Sequence, residues 1–301
     1  MDDIMNKSSV GLEEMKCIAS TDLCDAYGRS GIGGCEENQD SYSGIVDGQN
    51  VIMTVCDGMG GMNGGQTASR IAVTEIVQSL AELIRDKVSV DAIRIAVETA
   101  NAAIYRRALN DPPLRGMGTT ATVLVVTPYA AYLTHVGDSR IYQLRKGRKV
   151  FRTFDHSRVF EMVAQNLMTE EQARQSCFSN VITRALGIRP QVQMDVEMIP
   201  FKQGDRFILC CDGIWNSEPE HVIMKFFDEE KTADAAVCTI TERVNYIGYE
   251  RGGDHDNLTA IVVDMKKDSE YQYSCWHRAK DAMVRQCRNI KNLCAKKNKS
   301  V

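Results

Sequence analysis

NVIMTVCDGMGGMNGG, residues 50–65, decides the fold. Asn50 to Asp57 is a mostly apolar, β-rich run, and it stops abruptly in glycine-rich sequence. That pattern reads as a buried strand opening into a tight loop with an aspartate at its mouth. Downstream, Ala72, Ile76, Leu80 and Leu83, with Val73, Val77 and Ile84, fall three or four apart, and Val90, Ile93, Val97, Ala100 and Ile104 repeat the spacing. Two consecutive amphipathic helices are therefore expected after the loop, the second capped by Ser89.

Beyond the breaker Asp111-Pro112-Pro113 the chain turns to β chemistry. Thr119 to Thr127, Ala130 to Val136 and Ser139 to Leu144 read as an antiparallel meander, with turns at Pro128 and Gly137-Asp138. Ser157 to Ala173 returns to helical spacing. Val192 to Ile199 and Arg206 to Cys211 read as strands, residues 218–227 and 233–247 as helices, and Leu258 to Met265 as a last strand. Strands grouped with helical pairs, without regular βαβ alternation, indicate an α+β sandwich whose sheets pack together with helices outside.

Composition excludes several functions. The 301 residues are 44% hydrophobic and 25% charged, a globular balance, and the net charge of −4 offers no overall basic field for nucleic acid or anionic lipid. The charge is uneven. Lys266 to Val301 holds ten Lys/Arg and three Asp/Glu, +7, which leaves 26 basic and 37 acidic residues, −11, in residues 1–265. No run reaches the ~18 apolar residues needed to cross a bilayer, and Met1-Asp2-Asp3 lacks a secretion-signal pattern, so a cytoplasmic protein without a transmembrane segment is expected. Eleven cysteines, including adjacent Cys210 and Cys211, do not form a disulfide framework. The five histidines stand far apart in sequence, which gives a zinc site little local support.

The chemistry collects at strand ends, where Asp57 (VCDGMGG), Asp138 (HVGDSR), Asp212 (LCCDGIWN) and Asp256 (GDHDNLT) stand beside Gly or Asn. A strand end holds a carboxylate rigidly while the following loop leaves it open to an outside ligand. Carboxylate oxygens are hard donors that suit Mg²⁺ or Mn²⁺ better than zinc. If Asp57 bridges two such ions and Asp212 and Asp256 complete the site, +4 meets −3, and an acidic protein gains a pocket that attracts phosphate. Two ions ~3.5–4 Å apart also acidify a shared water in line with a bound phosphoryl group. Any one Asp-Gly, taken alone, is a turn.

The ordered set ENQD (37–40), VCDGMGG (55–61), GTTAT (118–122), VGDSRIY (136–142), DHS (155–157), NVITRALG (180–187), LCCDGIWN (209–216) and DNLTAIVV (256–263) resembles the bacterial-type, metal-dependent serine/threonine phosphatases of the protein phosphatase 2C family. The likeness runs from about residue 20 to residue 264. It implies a four-layer α-β-β-α sandwich with two central antiparallel sheets, a flap subdomain at about 155–195 and a dinuclear centre at one end of the sheets. Carried over, Asp57 bridges both ions, Gly58 ligates one through its carbonyl, Asp212 and Asp256 complete the other, Asp40 acts through water, and Asp138 with Asp212 holds a weaker third ion. The implied activity is hydrolysis of phosphoserine and phosphothreonine in proteins, opposing a cognate serine/threonine kinase. The implied domains are a lead-in at 1–19, a phosphatase domain at 20–265 and an extension at 266–301.

Two positions depart from the family. Cys35 stands where an arginine usually grips the substrate phosphate, and a thiol cannot supply that bidentate contact. Either Arg29 substitutes as the phosphate-binding residue or capture leans on the metals. A catalytically weak, phosphoprotein-binding regulator on the same fold is the alternative function that Cys35 keeps open. Met59 stands where eukaryotic members often carry a histidine that protonates the leaving group, and Met is common there in bacterial-type members. His135, His156 and His255 lie near motif residues and read as structural. Cys24 to Arg29 is similar to the thiolate loop of cysteine-dependent phosphatases but has four intervening residues instead of five, so Cys24 reads as a bystander. In the extension, Trp276, Ala279, Met283, Cys287, Ile290 and Cys294 recur at helical spacing with Arg and Lys between them. This is a basic amphipathic helix that either docks on the acidic body or binds a partner.

Overall fold

The computed structural model describes residues 9–60, 64–84 and 88–271. Twelve strands form within them: β1 (Lys16–Ser20), β2 (Cys24–Gly31), β3 (Asp40–Asp47), β4 (Asn50–Met59), β5 (Gly118–Thr119), β6 (Ala121–Val126), β7 (Ala131–Val136), β8 (Arg140–Arg145), β9 (Arg148–Arg152), β10 (Asp195–Ile199), β11 (Asp205–Cys210) and β12 (Leu258–Met265). The helices are α1 (Gly64–Leu83), α2 (Val90–Asn110), α3 (Arg158–Ala164), α4 (Glu170–Arg174), α5 (Asp212–Trp215), α6 (Glu220–Glu229) and α7 (Ala233–Glu250). One sheet runs β1-β2-β12-β11-β8-β9 and the other β10-β7-β6-β4-β3, with β5 pairing β4. Every pairing in both sheets is antiparallel.

Three apolar layers follow from the two-residue period of the strands. Val51, Met53 and Val55 of β4 face Phe207 and Leu209 of β11 and Ile261 and Val263 of β12 in a core between the sheets. The alternate residues Ile52 and Cys56 pack outward on α1 and α2, through Ala72, Ile76, Ile93 and Val97. On the far side, Ile208, Cys210 and Val262 pack on α6 and α7, through Ile223, Phe227, Val237 and Ile240. Both faces of the central strands are thus covered, which gives the expected α-β-β-α sandwich and explains why β4, β11 and β12 read as unbroken apolar runs. Ser89 caps α2 as expected, its hydroxyl accepting from the Ala92 N–H at 3.1 Å.

The structure corrects the expected meander. β6 and β7 form a hairpin, but β8 pairs with β11 and β9 in the opposite sheet. The chain therefore crosses between sheets at Gly137-Asp138-Ser139, and Gly137 takes a left-handed φ of +98° there. The helix expected over 157–173 is two short helices, and Asn166 between them has a φ of +58°. Strand β10 begins at Asp195 rather than Val192. Three strands, β1 to β3, precede the first segment read as a strand, and β1 is hydrogen-bonded to β2 ahead of residue 20. After β12 the chain stays on the body: the Ser269 hydroxyl donates to Phe201 O, and the Tyr271 N–H donates to Tyr129 O. The helix expected over 276–294 lies outside the described residues.

Cys17, Cys24, Cys35, Cys56, Cys177, Cys210, Cys211 and Cys238 are all free thiols. No helix among the described residues is long and apolar enough to cross a membrane.

Phe207 is fully buried between the sheets, whereas Leu109 on α2 is 58% exposed. Urea unfolding should show Phe207→Ala losing about 3–5 kcal/mol, and Leu109→Ala staying within about 0.5 kcal/mol of the parent. Similar losses at both positions would contradict the layer assignment.

Candidate active site

Antiparallel register brings the first two carboxylates together, because Asp40 of β3 lies opposite Asp57 near the end of β4. Asp57 is clamped through its backbone. Its N–H donates to Thr120 Oγ1 at 2.9 Å, and its carbonyl accepts from the Thr119 hydroxyl at 2.8 Å and the Thr120 N–H at 2.8 Å. Thr120 Oγ1 also lies 2.7 Å from Ser139 Oγ, which ties the crossing loop that carries Asp138 to the same point. The threonines of GTTAT, read from sequence as a strand and as one of the family motifs, are thus the brace of the site.

Asp212 opens α5 directly after β11, and the Trp215 indole N–H of that helix donates to the Asp138 carbonyl at 2.9 Å. A Cβ on Gly213 would stand 2.0 Å from Asn257 O, so glycine alone allows α5 to approach the start of β12, where Asp256 sits. Asn257 closes the remaining side. Its amide donates to Ile32 O (2.8 Å) and Glu37 O (3.1 Å), and its Oδ1 accepts from the Gln39 N–H (2.8 Å), pinning the ENQD segment against β12.

Asp57, Gly58, Asp138, Asp212 and Asp256 all line one cleft of about 570 Å³, together with Cys35, Glu36, Glu37 and Met59. Asp40 is buried behind Asp57. No Lys or Arg is among the cleft-lining residues. Burial, then the charges of Asp40, Asp212, Asp138 and Asp256, hold the Asp57 carboxyl well above the usual carboxylate range. Burial followed by Asp212 does the same to Asp138. Burial, with Asp256 and Asp212 adding to it, pushes Asp40 up to about 7, and burial with Asp256 raises Asp212 to about 6.

Both carboxylate oxygens of Asp40 and one of Asp212 are buried without a hydrogen-bond partner among the described residues. Crowded carboxylates with orphaned oxygens and no facing cation match a divalent cation bound through hard oxygen ligands. The residues therefore fit the metal group.

Arg29 does not line this cleft, which corrects the expectation that it substitutes for the missing arginine. It points from β2 toward α7, where Nη1 meets Glu242 Oε1 at 2.8 Å and Nε donates to Glu13 O at 2.9 Å. Cys35 does line the cleft, with Sγ 3.9 Å from Asp256 Oδ1. Cys24 through Arg29 run extended along β2 and form no phosphate-cradling loop. Burial pushes the Cys24 thiol up to about 11, which removes it as a nucleophile.

The histidines do not all stay apart. His135 and His156 stack with ring centroids 4.2 Å apart, and their ligand atoms lie within 4.8 Å of Asp195, a grouping that could hold a metal ion. The Gly137 N–H donates to His156 Nδ1 at 3.3 Å, which leaves the ring proton on Nε2 facing Asp195 Oδ2 at 2.9 Å. A metal-bound imidazole instead donates from its second nitrogen. The Arg184 guanidinium also stands 3.0 Å from His156 Nε2. This group reads as a hydrogen-bonded brace between β7, β10 and the 154–156 segment, and the carboxylate cleft is the better divalent site. Burial lowers the His135 imidazole to about 4. His255 is likewise structural, with Nε2 2.9 Å from Asn245 Oδ1.

The family model "Protein phosphatase 2C" matches residues 27–246. The serine/threonine phosphatase stp of Listeria monocytogenes is 30% identical over 235 residues, covering 77% of this chain and 88% of that protein. The crystal structure of the Mycobacterium tuberculosis serine/threonine phosphatase PstP/Ppp superposes with a TM-score of 0.70 at 28% identity, covering 81% of this chain and 99% of that one. The catalytic domain of PstP in complex with 2 manganese ions superposes with a TM-score of 0.65 at 28% identity over the same shares. With motifs from β3, β4, β11 and the start of β12 converging on one cleft, and a family match across most of the sandwich, the chain belongs to the protein phosphatase 2C family.

Proposed function

We propose that the cleft takes two divalent ions, Mn²⁺ or Mg²⁺, on Asp57, the Gly58 carbonyl, Asp212 and Asp256, with Asp40 supporting them from behind and a third ion on Asp138 and Asp212. The chain is a metal-dependent phosphatase of phosphoserine and phosphothreonine in proteins. The observation that carries the proposal is the convergence of four motif carboxylates at one cleft with Asp40 buried behind them, and with buried oxygens left unpartnered. A serine/threonine kinase that makes the substrate is the implied counterpart, and a cytoplasmic location, with residues 20–265 as the catalytic domain and 155–195 as its flap, fits this role.

When bound, the ions supply an acidified water and a positive pole for the phosphoryl oxygens. The chain's own residues do the rest. Asp57, braced by Thr119 and Thr120, fixes the centre against β4, while Asp212 and Asp256 are set by α5 and Asn257. Met59 offers no proton to the departing seryl or threonyl oxygen, and Cys35 offers no guanidinium to the phosphate. Substrate retention therefore falls on the ions and on contacts outside the cleft. That same deficit favours the second reading, a weakly catalytic regulator that binds phosphoproteins.

Manganese-dependent hydrolysis of a phosphothreonine peptide separates the two. Asp57→Asn and Asp212→Asn should each reduce turnover by at least about a hundred-fold with circular dichroism unchanged. Activity persisting in both variants, or surviving chelation, would refute the metal mechanism, and a parent chain that binds the peptide without turning it over would favour the regulator. At saturating manganese, Cys35→Arg should lower KM about ten-fold, the worth of a charge-assisted phosphate contact. An unchanged KM would show that capture does not depend on this position.

Ion binding should also be visible in stability. With Asp40 at about 7 and Asp212 at about 6 when ion-free, against an unfolded value near ~4, the folded chain holds extra protons between about pH 4 and pH 7. Ion-free stability then falls as pH rises through that window and levels off above it. Manganese must displace those protons at low pH, so its Tm increment should be larger at about pH 7.5 than at about pH 5.5. Equal increments would argue that these carboxylates are not the ligands.

A further inference from the structure

Beside the catalytic cleft runs a second concavity of about 630 Å³, formed mainly by residues 182–193 and sharing Met59 and Ile182 with the cleft. Its charge is opposite in sign. The cleft carries Glu36, Glu37 and the aspartates without a cation, whereas the groove carries Arg184 and Arg189 and no carboxylate among its lining residues. Arg184 is paired with Asp195 at 3.6 Å. Arg189 is exposed, and its guanidinium forms no ion pair among the described residues.

The groove is built rigidly. Asn101 of α2, 1% exposed, donates from Nδ2 to Arg189 O at 3.1 Å and Pro190 O at 3.3 Å, and its Oδ1 accepts from the Gly187 N–H at 2.9 Å. Gly187 has a φ of +85°, and a Cβ there would stand 2.2 Å from Ile104. Ile188, 45% exposed, and Val192 give the groove an apolar wall. A fixed backbone, an apolar wall and a guanidinium without an ion pair among the described residues suit an extended polypeptide bearing negative side chains.

We infer that this groove takes an acidic stretch of the phosphoprotein substrate adjoining the phosphorylated residue, with Arg189 as the specificity-determining contact. The inference rests on the phosphatase reading of the cleft and adds the substrate class. It also resolves an electrostatic difficulty, because an acidic substrate approaching a body of net charge −11 needs a local positive surface next to the cleft.

Fluorescence anisotropy at low salt with the full chain tests it, using peptides that carry a non-hydrolysable phosphonate analogue of phosphothreonine flanked by Asp, Ala or Lys. The parent should bind the Asp-flanked peptide about five-fold tighter than the Ala-flanked one. Arg189→Ala should bring that ratio close to one, and Arg189→Glu should turn the preference toward the Lys-flanked peptide. A ratio near one in the parent, or an unchanged ratio in both variants, overturns the groove. Manganese-dependent hydrolysis of p-nitrophenyl phosphate reads the cleft separately. Hydrolysis with a flat binding ratio rejects the groove alone, and a retained ratio without hydrolysis supports the groove while rejecting the phosphatase reading.

Discussion

Four of the five motif carboxylates are held where burial and their mutual charge oppose ionisation, and Asp256 adds its charge to three of them. Such a cluster has two stable outcomes, to keep protons or to trade them for cations. What prevents a third outcome, in which the side chains swing apart into solvent, is the backbone beneath them. Asp57 is clamped by Thr119 and Thr120, Asp138 is tied through Ser139 and the Trp215 indole, and Asp256 shares its loop with the triply bonded Asn257. The three apolar layers hold the strand ends that carry these braces, so packing energy stabilises an arrangement that the carboxylates alone would disfavour.

Legibility in the sequence followed burial. Strands β4, β11 and β12 are covered on both faces, so their apolar runs were plain, as were α1, α2 and the Ser89 cap. Strands β1 to β3 leave little trace in the sequence because half-buried segments such as DSYSGIVD hold few large apolar residues. The crossing at Gly137 is hidden for another reason: a hairpin turn and a step between sheets both ask for Gly-Asp, and only tertiary pairing distinguishes them. Arg29 looked available because one-dimensional distance to Cys35 is short. In space its strand carries it to the far side of the sheet, onto Glu242.

The same limit applies to chemistry that depends on chain-distant partners. His135 and His156 are far apart in sequence yet stack on one another, and Asn101 holds a loop more than eighty residues away. Neither had a local signal, since a lone buried Asn or His is ordinary in a core. The aspartates were legible because each sits at a strand end beside Gly or Asn, a local context that survives translation into three dimensions. Charge bookkeeping also gains a location. Part of the −11 body is concentrated in the cleft, and Arg184 and Arg189 line the groove that adjoins it.

The cation-free lining of the cleft has a consequence for the end of the reaction cycle. Hydrolysis leaves inorganic phosphate where the ester was, and an arginine that grips the substrate grips this product as well. With Cys35 in that place, no arginine or lysine of the cleft wall holds the anion, and its retention would fall to the divalent ions alone. The residue at position 35 would therefore set substrate capture and product release together, since one contact serves both anions.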